Sequence, residues 1–398
     1  MAHDPLLRFR SEFPILDHTT YLVSHSLGAM PRGVPERLGE YAEVWAREGV
    51  RAWTSGWWEM PVRVGDEIAP LIGAGPGEVA MLPNVTIAQG AVISALDYAP
   101  PRDTIVMTAL DFPSVRYVAD ALAPRLGARI VVVPGDEENL APSEEQLLAA
   151  IDERTRLVCI SHVLFRSAFV VDAEAICRRA HEVGALVSLD AFHAVGIIPV
   201  DVRRSGVDFM TGGALKWLCG GPGACFLYVA PQVRDRVAPA ITGWQAHARP
   251  FAFEPEMELG TGISRWLNGT PVIPALYAAL EGPRIVRRAG VDAIRAKSTR
   301  QTRRLIALAD ARGYRVNAPR DDARRGGTVA FDVPHGYEVA QALLARDILV
   351  DYRPDAGIRI APHFYNSDDE LDVVVDAVDD ILRSESWRAH QGTRAAVT

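Results

Sequence analysis

The sequence predicts an α/β protein: a mostly parallel central sheet with helices on both faces in a large domain, then a smaller C-terminal α/β domain. Three observations carry this. Short β-branched runs alternate with stretches of helical spacing from about residue 78 to 230, which implies right-handed crossovers and parallel pairing. The texture changes after residue 272, where a long helical region precedes short strands. At 398 residues, 48% hydrophobic and 23% charged, the chain is long enough for two cores.

The strand runs are TIVM (104–107), RIVVV (129–133), RLVCIS (156–161), ALVSLD (185–190) and ACFLYV (224–229), with DFMTGG between the last two. Stretches such as SEEQLLAAIDE and DAEAICRRAHEVG supply the helices between them. A helical region at about 280–312 leads to strands near 327–332, 348–352 and 357–361, then a closing helix near 367–384. The end, RAHQGTRAAVT, reads as a frayed tail. The expected divisions are an N-terminal segment (1–30), a large domain (31–271) and a small domain (272–398).

Composition narrows the function. A net charge of −8 and a pI near 5.7 argue against a nucleic-acid or anionic-membrane surface. No run of about 18 apolar residues is present, and charges and Pro break the start MAHDPLLRFRSEFPIL, so a secretory h-region is lacking. Cys159, Cys177, Cys219 and Cys225 form no CxxC pair and show no metal-like spacing with His. Reduced thiols, no metal and a cytoplasmic location are the expectation.

In such sheets ligands sit outside the carboxyl ends of the strands, so residues just after the runs are the ones to search. Only two of the 42 cationic residues are lysines, Lys216 and Lys297. Lys216 lies in TGGALKWLCGGPG, between apolar neighbours and glycine pairs. Arg stays protonated, whereas a desolvated Lys becomes a neutral amine able to form a Schiff base. The alternative is a surface Lys beside a turn. Asp190 ends the run ALVSLD, with His193 three residues on. A carboxylate at the end of a buried strand needs a partner; a pyridinium nitrogen of pyridoxal phosphate is one, and a helix cap is another. The spacing puts Asp190 and Lys216 on one edge of the sheet. In MLPNVTIAQGAVISAL, Asn84, Val85 and Thr86 open an amphipathic helix whose free amides suit a phosphate, though Asn84 also suits an N-cap.

These residues resemble a family. DAFHAVG followed by ALKWLCGGPGACFLYV is similar to class V of the fold-type I pyridoxal-phosphate enzymes, with closest resemblance to kynureninase through nearly the whole chain. HSLGAMPRG resembles the family's NSLG segment, DFPSVRY its FPSD segment, TGWQAH its GWFGH, RWLNGTPVIPAL its RFLCGTPPI, and GIRIAPHFYNS its C-terminal Arg motif. The segment 51–74, RAWTSGWWEMPVRVGDEIAPLIGA, resembles a Trp-rich kynureninase stretch. The resemblance implies pyridoxal 5'-phosphate as cofactor, with Lys216 as the aldimine-forming residue and Asp190 on the pyridine nitrogen. It assigns Val85 and Thr86 to the phosphate, Phe112 to the ring, and Ser161 and His193 to cofactor contacts. Trp244 and Thr270 would reach the cofactor of a neighbouring subunit, which implies a homodimer with active sites at the interface. Arg359 would clamp the substrate α-carboxylate, with Ser26 and Trp53 at the substrate mouth, the N-terminal segment nearby, and His162 and Arg166 close to the site.

Two positions depart from the family. Leu215 stands where kynureninases have a Tyr before the Lys, and Val115 where they have the Asp of FPSD. The implied activity is aldimine exchange and α-carbanion (quinonoid) chemistry on an L-amino acid, kynureninase-like in sequence. Against hydrolysis of a β–γ carbon bond stand C–S β-elimination, transamination or decarboxylation-linked chemistry, which the two apolar replacements favour. A binding protein without activity is the third reading, which Lys216, Asp190 and Arg359 together oppose.

Overall fold

A computed structural model describes residues 4–136 and 140–392. Its central sheet has seven strands: β1 (Val79–Leu82), β2 (Thr104–Thr108), β3 (Arg129–Val133), β4 (Thr155–Ser161), β5 (Leu186–Asp190), β6 (Phe209–Gly213) and β7 (Cys225–Val229). The order across the sheet is β1-β7-β6-β5-β4-β2-β3. β3, β2, β4, β5 and β6 pair in parallel, while β7 is antiparallel to β6 and β1. The reason lies in the connections. A parallel return needs a crossover of a dozen or more residues, and the link between Gly213 and Cys225 is too short for one. It folds back as a loop across the carboxyl end of the sheet, carrying Lys216.

Four helices frame the site: α1 (Val85–Ser94), α2 (Pro113–Leu126), α3 (Ala173–Glu182) and α4 (Glu281–Ala289). Asn84 caps α1 by accepting the Ile87 amide at 3.1 Å. α2 begins with Pro at its first position, where no N–H is needed. α3 buries Ala173, Ile176, Cys177 and Ala180 on one stripe, the 3.6-residue period of a helix lying on a sheet. The helical region expected at 280–312 is broken at Gly290 into α4 and α5 (Val291–Asp310), because Gly290 takes φ +84°.

A second sheet joins β8 (Arg315–Val316), β9 (Val329–Asp332), β11 (Gly357–Ile360) and β10 (Asp351–Arg353), in that order. α5 and the closing helix α6 (Asp369–Arg383) cover it around a separate apolar cluster that includes Leu305, Phe331, Val339, Val375 and Ile381. The tail is more ordered than expected at its start. Ser386–His390 forms a 3₁₀ turn with Trp387 buried and its ring stacked 3.5 Å from that of His335. Residues 393–398 of the tail lie outside the described residues. Among the described residues no helix is long and apolar enough to cross a membrane.

Candidate active site

Register builds the site. Ser161 at the end of β4 pairs with Asp190 at the end of β5, and Asp190 pairs with Thr211 in β6. Parallel strands in register present these residues side by side at the carboxyl edge. The loop from β6 to β7 then lays Lys216 beside them. It is fixed from outside by the HSLG segment, whose Gly28 amide donates to the Leu215 carbonyl at 2.7 Å. A Cβ on Gly28 would stand 2.1 Å from the Lys216 carbonyl oxygen, so only glycine allows this approach.

A cavity of about 130 Å³ results, lined by Val85, Phe112, Ser161, Asp190, His193 and Lys216, with Val163, Phe165, Phe192 and Leu215. Lys216 Nζ lies 2.6 Å from His193 Nε2 and 5.6 and 5.7 Å from the ring centres of Phe112 and Phe192. Burial lowers the Lys216 ammonium well below the usual lysine range; Asp190 opposes this and Arg359 reinforces it. Burial likewise raises the Asp190 carboxyl, against the Phe192 amide and Lys216. His193 is driven well down by burial, then by Lys216 and Arg359. The cavity therefore holds an amine poised to be neutral, the state that a Schiff base requires.

Pyridoxal phosphate fits these residues on an observation of the protein itself. Asp190 is 4% exposed, its Oδ1 accepts the Phe192 amide at 3.0 Å, and no protein donor among the described residues meets its second oxygen. Asp190 borders the cavity, and a carboxylate in so buried a setting is stabilised by a donor, which a protonated ring nitrogen in the cavity supplies. The open first turn of α1 offers amides for a phosphate: Val85 lines the cavity, and Thr86, next to it, is exposed. Leu215 lines the cavity with an apolar side chain. Val115 is buried in the first turn of α2 and does not line it.

Other expected residues lie elsewhere. Arg359 does not line the cavity: it is 2% exposed, with Nε donating to Asp351 Oδ1 at 2.7 Å, Nη2 to Asp351 Oδ2, and Nη1 to the Phe165 carbonyl. Ser26 is half-buried in the HSLG turn, its amide bonded to the Val23 carbonyl. Trp53 and Trp244 stand edge-to-face, ring centres 6.3 Å apart, in an aromatic cluster with Trp58 and Phe251. Trp53 and the exposed Thr270 line a different cleft with Tyr41, Trp45 and Trp57. Within one chain, then, Trp53, Trp244 and Thr270 do not line the Lys216 cavity, and Ser26 lies outside its lining in the segment that packs on the Lys216 loop. His162 donates its amide to the Asp190 carbonyl at 2.9 Å, while its side chain lines a groove with Leu189 and Met210. Arg166 pairs with Asp355 at 3.9 Å.

Residue-type reasoning missed three groups. Asp111, beside Phe112, accepts the Ser161 amide at 2.6 Å and the Thr108 amide at 2.8 Å, tying the ends of β2 and β4. Asp351 accepts from Arg359, and His25 Nε2 donates to it at 3.0 Å. The sequence holds one signal for Asp351: in DYRPDAGIR, a hairpin about Pro354 to Ala356 sets it across from Arg359.

The chain is similar to known proteins along nearly its whole length. The family described as aminotransferase class-V matches residues 21–364. A kynureninase of Burkholderia pseudomallei is 34% identical, covering 99% of this chain and 97% of its own length. A kynureninase of Pseudomonas fluorescens is also 34% identical, covering 98% and 95%. Among solved structures, the apo cysteine desulfurase of Thermococcus onnurineus NA1 has a TM-score of 0.84 at 22% identity, covering 96% of this chain and 99% of that one. A cystine C–S lyase in complex with cysteine persulfide has a TM-score of 0.84 at 21% identity, covering 92% and 99%. The two structural likenesses speak for the fold-type I architecture. The chain belongs to the class V aminotransferase family of pyridoxal-phosphate-dependent enzymes, and within it is kynureninase-like.

Proposed function

We propose that the chain cleaves the side chain of an aryl-oxo L-amino acid of the kynurenine type, with Lys216 and Asp190 as catalytic residues. The observation that supports this is the convergence of Lys216 and Asp190 on one cavity at the carboxyl edge of the sheet. Pyridoxal phosphate, when bound, supplies a protonated ring that draws in the electrons of a bond broken at the amino carbon. Asp190 holds that ring's N–H on its unpartnered oxygen and keeps the proton there. Lys216, kept near its neutral form by burial, takes a proton from the substrate α-carbon and returns it. His193, in contact with Nζ, steadies whichever charge state the amine adopts. Val85 and Thr86 hold the phosphate, Phe112 covers the ring, and Ser161 adds a polar contact. Arg359 receives the α-carboxylate, and Ser26 and Trp53 border the substrate.

Trp244 and Thr270 serve the site of a second copy in a homodimer. Their placement in an aromatic surface away from this chain's own cavity supports that reading. The large unit at 31–271, the small one at 272–398 and a cytoplasmic location belong to the same proposal.

A second reading is β-elimination at a C–S bond, favoured by the apolar Leu215 in the cavity wall. A thiolate leaves without help, whereas carbon–carbon hydrolysis needs protons moved beyond the α-carbon. Product analysis with L-kynurenine and with a cysteine S-conjugate tests both. Anthranilate plus alanine supports the first, pyruvate plus free thiol replaces it with the second, and neither product from either compound rejects both.

A further inference from the structure

Arg359 and Asp351 lie directly opposite each other in the β10–β11 hairpin. A guanidinium has five N–H donors. Three are committed here: Nε and Nη2 to the two oxygens of Asp351, and Nη1 to the Phe165 carbonyl. One donor remains on each terminal nitrogen, a pair that suits a carboxylate. Asp351 is in turn held from the far side. His25 Nε2 donates to its Oδ1 at 3.0 Å, and Arg353 lies 3.3 Å from its Oδ2. Asp351 is wholly buried. Burial would raise its carboxyl, but His25 and Arg359 outweigh that and hold it well below the usual carboxylate range. It is therefore a fixed anion.

We propose that Asp351, locked by His25, is the positioning residue of Arg359: it occupies the side of the guanidinium and reserves the remaining N–H pair for the α-carboxylate of the substrate. A buried arginine without this partner would be an uncompensated charge and would turn toward other acceptors. The inference rests on the assignment of Arg359 to the substrate carboxylate.

The test compares binding of L-alanine and L-alaninamide to cofactor-loaded protein, read from the change in cofactor absorbance. The two ligands differ at the carboxylate alone, so the ratio of their affinities reports on Arg359, and a loss of folding or of cofactor moves both ligands together. Asp351→Asn should shrink the native preference for L-alanine by about tenfold or more. Asp351→Glu, which keeps the charge and displaces the oxygens, should shrink it by a smaller factor, and it carries the test where the Asn variant does not fold. A ratio unchanged from native in a folded variant overturns the role of Asp351 alone. Equal binding of both ligands by the native protein overturns the Arg359 assignment and this inference with it.

Discussion

Lys216 Nζ stands 2.6 Å from His193 Nε2, a contact that two protonated groups could not share. The pair therefore carries at most one extra proton, and burial presses on both in the direction of neutrality. Cofactor-loaded protein reduced with borohydride should carry a pyridoxyl mass on the peptide containing Lys216. Lys297 is excluded physically: its Nζ is bound to Asp4 at 2.7 Å and to the Phe364 carbonyl at 2.7 Å, at 2% exposure. Peptide mass mapping checks this, and a label on Lys297 would reject the assignment.

Asp190→Asn should lower turnover by roughly 10²–10³-fold or more, since a neutral amide cannot hold the ring proton and an aimed electrostatic contact is worth that much. The amide keeps the shape and can still accept from Phe192, so cofactor should remain bound. Parallel measurement of cofactor absorbance and steady-state rate tests this. Turnover close to native would remove Asp190 from catalysis.

Hydrolysis of L-kynurenine should be detectable as anthranilate, yet slow. Leu215 gives the cavity wall no proton donor, and general acid–base help is worth roughly 10²–10⁴-fold. Leu215→Tyr should therefore raise anthranilate release by roughly 10²-fold. Brisk release by the native protein, or no gain in the variant, would show that this position does not govern the rate.

The fold should weaken in mild acid. Burial pulls the imidazoles of His25 and His162 down to about 4 and that of His363 to about 3. All three lie below the ordinary value of roughly 6.5, so between those values the unfolded chain binds more protons. The stability of the neutral rings is whole above about pH 6.5 and is lost as pH falls toward their folded values, about 2 kcal/mol each by pH 5. Thermal unfolding should drop by roughly 5–10 °C between pH 7.5 and 5. An unchanged midpoint would mean that the rings already carry charge in the fold.

The legible part of this site was written in residue type. A Lys in a chain that otherwise writes nearly every cation as Arg, an Asp ending an apolar run and a helix start after PN mark positions whose chemistry does not depend on distant contacts. The strands were legible for the same reason, as runs bounded by turns. The lock on Arg359 was not, because it needs the hairpin register of β10 and β11 and the approach of His25 from the other end of the chain. Nor was the ordered turn at Trp387, whose ring stacks on that of His335.

The scarcity and placement of lysine make the protein its own spectroscopic reporter. Lysine labelled with nitrogen-15 would give two side-chain signals. One belongs to Lys297, pinned by Asp4 and silent to ligands. The other belongs to Lys216, on the short return between β6 and β7, and would follow each proton that arrives or leaves, with no probe added.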